Sequence, residues 1–415
     1  MELKRVVVTG LGALTPVGIG LSEYWKSLTN GVSGASLITR FDTEQFKCKI
    51  ACEVKGFDTA NYFDRKEGRT LDLFTQYGMV AADEAIADAG MLDETIDRSR
   101  IGVIWGSGMG GVRSFQDEAM DFQKGGGVPR FSPFLVPRTI TDICAGYISI
   151  KHRLQGPNYV TTAACASSGV AIANAFDNIR LGKATAIVVG GSEAAITEMG
   201  IGGFASMRAL STRNDDPQTA SRPFDKERDG FVMGEGAGVL VLEEYEHAKA
   251  RGAHIYAEMT GYGLTADAYH ITAPHPDGAG AMEAMRIAVR ESGMRLEDVD
   301  HINTHGTSTP MGDKAETTGI VNLFGDHAQH IAINSTKSMT GHMMGAAGAA
   351  EAIAAVLAIH HDMVPPTINH FTDDPDLPAL DYTFGSKAVS RHVGFALSNA
   401  FGFGGHNVSL AFRKI

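Results

Sequence analysis

Hydrophobic and polar positions along the chain sort into two recurring patterns. Short runs rich in β-branched residues, closed by glycine or a polar residue, recur as "RVVVTG", "IGVIWGSG", "AIVVGGSE", "GVLVLEE", "HINTHG", "IAINS" and "VGFALSNA". Runs of this kind predict buried strands. Between them stand longer stretches that read as helices, such as "TQYGMVAADEAIADAG" and "GAAGAAEAIAAVLAIHH". The alternation predicts an α/β protein of layered sheets and helices. Glycine and proline punctuate it densely, and no segment is low in complexity.

The pattern also echoes itself. In the first part of the chain, small residues lead into an apolar helix, "VAIANAFDNI", and then into the strand "ATAIVVGGSEA". Later, "KSMTGHMMGAAGAAEAIAAVLAI" is followed by "VGFALSNAFGFGG". Each part has a small-residue turn, a buried helix and a strand ending in paired glycines. The expectation is two similar halves, 1–250 and 251–415, joined by an exposed helix in "EEYEHAKARGAHIYA".

Composition narrows the function. At 415 residues, 44% hydrophobic and 20% charged, the chain can bury a large core. Its apolar runs are read as too short for a membrane span. "MELKRVVVTG" enters a strand pattern with no signal-peptide character, and Cys48, Cys52, Cys144 and Cys165 form no metal-binding spacing. The expected setting is therefore cytoplasmic, with free thiols and no metal. A net charge of −12 argues against nucleic acid as a partner, and an acidic partner would need a local basic patch.

Two glycine-rich stretches imitate nucleotide fingerprints. "GSGMGG" follows the strand-like "IGVIW", and "VVVTGLGALTPVG" places Thr15 where a third glycine belongs. Neither is followed by the helix, second strand and acidic residue that a dinucleotide site requires. "GHMMG" has the spacing of a nucleophile elbow but carries methionine in place of serine. His360 and His361, adjacent at a helix end, read as a solvated cap rather than metal ligands.

Three segments hold a reactive residue among small ones. Cys165 lies in "TTAACASSG", directly before an apolar helix. That stretch leaves two readings open: a small buried hydrophobe, or a thiol whose thiolate is favoured by the helix end. His305 lies in "NTHGTSTPMGDKAE", and Lys337 and His342 share "NSTKSMTGHMMGAAG". Each histidine alone reads as an ordinary core or turn residue. Cysteine and histidines from separate segments are together what thiolate chemistry requires.

These stretches resemble the β-ketoacyl-acyl carrier protein synthases, the condensing enzymes of fatty-acid synthesis. The likeness is carried by "VVVTGLGALTPVG", "ACASSG", "GFVMGEGAGVLVLEE", "NTHGTSTPMGD", "KSMTGHMMGAAG" and "NAFGFGGHN", in that order over the whole chain. "GYGLTADAYHITAPHPDG" is most similar to synthase II of the elongating branch. The resemblance implies a thiolase-like α/β fold, two similar halves in five α-β-α-β-α layers. It implies a Cys-His-His set on Cys165, His305 and His342, with decarboxylative condensation of acyl and malonyl carrier proteins to a 3-oxoacyl product. The second histidine separates the elongating synthases from thiolases and from the initiating synthases, which carry cysteine and asparagine respectively.

Further roles are implied by position. The N–H groups of Cys165 and Phe403 would hold an oxyanion, and His305 and His342 would stabilise the enolate formed as CO2 leaves. Lys337, with Glu351 as ion-pair partner, would support them, and Glu316 would be structural. Phe403 would gate the acyl pocket beside Phe401. Met109 would help set chain length, with Phe134 reaching the pocket from a second subunit of a homodimer. Thr272 and Thr309 would hold the phosphopantetheine arm, which the carrier protein brings, so that no tightly bound cofactor is expected. Arg65, Lys66 and Arg69 in "FDRKEGRT", with Arg208 and Arg213 in "MRALSTRN", would form the docking patch for the acidic carrier. The alternatives are the ketosynthase subunit of a type II polyketide system, a non-catalytic chain-length partner, which should lack the cysteine, and an NAD oxidoreductase.

Overall fold

The computed structural model describes residues 3–415. One sheet of eleven strands runs through the chain, and apart from the two-residue strand Gly18–Ile19 its order repeats. We number the others β1 (Val6–Thr15), β2 (Ile101–Gly106), β3 (Asn158–Thr161), β4 (Ala186–Glu193), β5 (Gly236–Glu244), β6 (Ala257–Ala266), β7 (His301–Asn303), β8 (Ala332–Asn334), β9 (Phe395–Gly402) and β10 (His406–Arg413). From the middle outward, one side reads β1-β5-β4-β2-β3 and the other β6-β10-β9-β7-β8. In each, the first two pairings are antiparallel and the next two parallel. First, fifth, fourth, second, third is thus the strand order of both halves. They join where Val6–Val8 of β1 pair with Ala257–Met259 of β6.

Six helices matter here: α1 (Leu73–Asp88), α2 (Val112–Lys124), α3 (Ser167–Arg180), α4 (Ala279–Glu291), α5 (Pro310–Phe324) and α6 (Ala347–His361). Helix α1 covers the outer face of β1, β4 and β5, and α4 covers β6 and β10. Helices α3 and α6 pack on each other between the half-sheets, α3 on β2 and β4, α6 on β9 and β5. Five layers result, as the resemblance implies.

The central pair explains the small residues in both motifs. A Cβ on Gly348 would stand 2.9 Å from the Gly169 backbone nitrogen, and Ser168 Oγ accepts the Ala349 N–H at 2.9 Å. Two helices this close admit only glycine, alanine and serine at the crossing. Helix α6 is buried from Ala347 to Ile359 on every side, and Glu351 is the only ionisable residue in that stretch. Over Met344–His361 it is apolar enough by composition to cross a membrane, contrary to the sequence expectation, but 89% of that segment is packed inside the protein. An all-round apolar helix is what a middle layer requires.

Strands β3, β6 and β10 escaped the sequence pattern. The segment read as a connecting helix holds a helix only over Tyr245–Ala250, before β6. Glycines and threonines dilute the apolar signal of β6, while β10 carries polar residues, Asn407 and Ser409, among its apolar ones even though Asn407 to Phe412 are all buried.

Candidate active site

Cys165 sits on a tight turn between β3 and α3. Ala164 takes φ 49°, a left-handed conformation that costs a residue with a Cβ. Ser167 offsets that cost: its Oγ accepts the Ala163 N–H at 2.9 Å and donates to the Ala164 carbonyl at 2.6 Å. Small residues here let the end of β9 come close. A Cβ on Gly402 would stand 2.5 Å from the Ala163 carbonyl oxygen and 3.2 Å from the Cys165 nitrogen. The next backbone N–H, of Phe403, donates to Cys165 Sγ.

The thiol does not behave as the helix end alone implies. Burial pushes Cys165 up to about 12, while the Lys337 ammonium and the Phe403 N–H pull the other way. Desolvation of the thiolate outweighs the partial charge of the helix terminus. The buried site thus favours the neutral thiol.

Two histidines face each other across the same cavity, with ring centroids 5.3 Å apart at 86°. His305 follows β7, and its backbone is held by Glu316 of α5, whose carboxylate accepts the N–H groups of His305 and Gly306, each at 2.9 Å. Asn399 donates to the same carboxylate at 3.1 Å. His342 is fixed by backbone bonds to the Val232–Gly234 segment, at 2.7 Å and 2.8 Å, and its ring stands edge-on to Phe231. Burial, then Lys337, holds both imidazoles well below their ordinary value, and His342 adds to the effect on His305. Both are neutral at pH 7.

Lys337 is the hub behind them. Its side chain is 1% exposed, its Nζ pairs with the Glu351 carboxylate, and it reaches His305 Nδ1 at 3.4 Å. An ammonium only donates, so His305 Nδ1 accepts and its proton resides on Nε2. Burial pushes Glu351 and Glu316 up to about 7, against the pull of Lys337 on both.

A cavity of about 400 Å³ opens over Cys165, His305 and His342 and runs past Phe401 and Phe403 to a mouth that includes Arg208 and Thr272. Thr309 lines it too, while its hydroxyl caps α5 by accepting the Gly312 N–H at 3.2 Å. Met109 does not line this cavity. It packs instead in the apolar cluster that also holds Phe204, and Phe204 reaches the cavity wall. Phe134 is 42% exposed and likewise stands outside the cavity of this single chain. Arg65 and Lys66 project from a helical turn capped by Asp64, and with Arg69 they are exposed. Among the described residues, no cluster of three or more metal-ligating side chains occurs.

Sequence reasoning passed over Thr307, Phe204, Phe231 and Glu193. Thr307 lies inside the quoted "NTHGTSTP" motif, 3.0 Å from Thr309 between the two hydroxyls. Glu193 had a signal: a carboxylate ending an apolar strand and fully buried. It accepts the N–H groups of Gly108 at 2.8 Å, Met109 at 3.0 Å and Gly345 at 3.0 Å. The amides of "GSGMGG" that would meet a phosphate in a nucleotide fold are thus occupied by a carboxylate.

Comparison with known proteins agrees with this geometry. Residues 3–248 match the model of the beta-ketoacyl synthase N-terminal domain, and residues 256–371 that of the C-terminal domain. A 3-oxoacyl-[acyl-carrier-protein] synthase 2 from Synechocystis is 51% identical over 415 residues, covering 100% of this chain and 99% of the relative. A Staphylococcus aureus protein of the same name is 48% identical over 99% of this chain and 98% of its own. Among solved structures, the ishigamide ketosynthase/chain length factor superposes with a TM-score of 0.93 at 36% identity, over 100% of both chains. The chain belongs to the β-ketoacyl synthase family.

Proposed function

We propose that the protein condenses an acyl chain, delivered by an acyl carrier protein, with malonyl on a second carrier protein in fatty-acid chain elongation. The observation that carries this is the placement of a buried lysine on His305 Nδ1, with His342 opposite and Cys165 in the same cavity. Cys165 Sγ attacks the acyl thioester. The oxyanion is held by backbone N–H groups of Cys165 and Phe403, the carrier thiolate departs, and the Cys165 proton ends on it. Malonyl then loses CO2, and the electron pair of the broken C–C bond moves onto the thioester oxygen as an enolate. His305 donates from Nε2 and His342 from its own ring N–H. The enolate carbon attacks the acyl-enzyme carbonyl, Cys165 leaves and regains a proton, and a 3-oxoacyl carrier protein two carbons longer is released.

Neutral imidazoles suit this step. A donor that carries no net charge stabilises the enolate without competing for the malonyl carboxylate, which must depart uncharged as CO2. The reading requires no tightly bound cofactor, since the phosphopantetheine arm arrives with the carrier. Thr272 and Thr309, with Thr307, line its path. Arg65, Lys66, Arg69 and Arg208 form the docking patch, Met109 the floor behind Phe204, and Phe401 and Phe403 the gate. The catalytic cysteine belongs to residues 1–250 and both histidines to 251–415.

A homodimer in the cytoplasm is part of the same reading. It is supported by β3, which ends the sheet with one edge unpaired, and by the exposed apolar residues Phe131, Phe134, Val136 and Ile140. The likeness to the ishigamide ketosynthase favours a second reading, the ketosynthase subunit of a polyketide system. One experiment separates them. The purified chain alone, given acyl and malonyl carrier proteins, releases one CO2 per 3-oxoacyl product; activity that appears only with a second, different chain would overturn the fatty-acid reading.

A further inference from the structure

A second cleft, of about 530 Å³, shares no lining residue with the cavity of Cys165 and meets the proposed docking patch only at Arg69. Its walls are the start of α1, one face of α2, and the loops around residues 54–59 and 68–73. Four arginines line it: Arg40, Arg69, Arg113 and Arg138. Arg40 is neutralised, because its guanidinium pairs with Glu235 and donates to Tyr77 at 2.9 Å. The other three differ. Among the described residues, no carboxylate or carbonyl pairs with the side chain of Arg69, Arg113 or Arg138, and Nε of Arg138 is buried with no hydrogen-bond partner.

The acidic residues of the cleft do not balance these charges. Asp72 takes the Phe74 N–H at 3.1 Å, and the Ser114 N–H and hydroxyl at 3.0 Å and 2.5 Å, and its carboxylate faces the charge of Arg138 without a hydrogen bond to it. That leaves Asp117, one turn along α2 from Arg113 and exposed to solvent. In a chain with net charge −12, three guanidiniums that make no hydrogen bond in one cleft, against the carboxylates of Asp72 and Asp117, leave a local positive excess. Guanidinium forks match the oxygen geometry of phosphate, and several on one anion give charge-assisted, bidentate recognition.

We propose that this cleft is a phosphate-binding site, filled by the phosphate group of a small molecule and held by Arg113 and Arg138 with Arg69 at its rim. The phosphate has two possible sources: a free phosphorylated metabolite, or the phosphopantetheine arm of a docked carrier, since Arg69 also belongs to the docking patch.

The test titrates the full-length protein with inorganic phosphate and with pyrophosphate by calorimetry, at constant ionic strength, beside Arg113→Gln, Arg138→Gln and the double variant. Saturable binding is expected, weakened roughly tenfold or more by each substitution, with unchanged circular dichroism and denaturant melts as evidence that the variants fold. A second titration uses carrier protein with and without its phosphopantetheine arm. Loss of affinity in the double variant for the armed carrier alone assigns the phosphate to the arm; no loss for either carrier assigns it to a free metabolite. Absence of saturable binding by the wild-type protein at millimolar phosphate, or binding that the double variant retains in full, would overturn the proposal.

Discussion

Nζ of Lys337 stands 3.4 Å from Nδ1 of His305, and the same ammonium pairs with Glu351 in the middle helix layer. One buried cation thereby sets a tautomer at the reacting centre and neutralises a carboxylate that the core would otherwise expel. The two jobs come apart under mutation. Lys337→Met alone leaves Glu351 unpaired and should cost about 3–5 kcal/mol of stability. Adding Glu351→Met should restore most of that stability, because an apolar pair replaces an ionic one. Malonyl decarboxylation should stay roughly a hundred- to a thousand-fold low in the double variant, since His305 no longer has its proton placed on Nε2. Denaturant melts and CO2 release measure the two effects separately. A stable double variant that decarboxylates at the wild-type rate would give Lys337 a purely structural part.

His342 makes a pH-dependent contribution whose direction follows from its environment. Burial and Lys337 hold its imidazole well below the ordinary 6.5, so the folded chain declines a proton that the unfolded chain accepts. Its contribution to stability is complete above pH 6.5 and is lost as pH falls toward the depressed folded value. The stability of the wild type relative to His342→Ala should therefore shrink on acidification below 6.5, by up to about 1.4 kcal/mol per pH unit. Unfolding curves at a series of pH values test this; a difference that stays constant with pH would contradict it.

How much of this the sequence discloses depends on whether a residue acts through its own chain neighbourhood. Cys165 could be singled out because the small residues around it mark a distinctive turn before an apolar helix, and β2, β4 and β5 because continuous apolar runs mark buried strands. Glu193 is marked in the sequence only as a carboxylate ending an apolar run; its role is not, because its four donors come from Ser107, Gly108, Met109 and Gly345, assembled by the fold from both halves. The depressed acidity of the Cys165 thiol was equally invisible: helix position is local, whereas desolvation is tertiary. Met109, placed by motif likeness in the acyl pocket, packs against the apolar cluster that also holds Phe204, and of the two only Phe204 lines the open cavity.

Gly402 is a point of close backbone approach beside the proposed oxyanion site. An alanine there would drive its Cβ to 2.5 Å from the Ala163 carbonyl and displace the Phe403 N–H from Cys165 Sγ. Gly402→Ala should slow acyl transfer to Cys165 by about a hundredfold or more while leaving malonyl decarboxylation less affected. Rapid-quench measurement of acyl-enzyme formation checks it; an unchanged acylation rate would remove the Phe403 amide from the oxyanion site.

Charge at the proposed docking patch should act on encounter. Reversal of Arg65, Arg69 and Arg208 to glutamate should raise KM for carrier-bound substrates with kcat little changed, and the effect should fade as salt rises. Steady-state kinetics across ionic strength test it, and an unchanged KM would remove the patch.

The most direct measurement is the intact mass of the protein after mixing with a long-chain acyl carrier protein, followed by a chase with malonyl carrier protein. An acyl adduct on the Cys165 peptide, discharged by malonyl with release of CO2, is the expected result. An adduct that malonyl does not discharge, or no adduct on the folded protein with any chain length, would contradict a condensing reaction at Cys165.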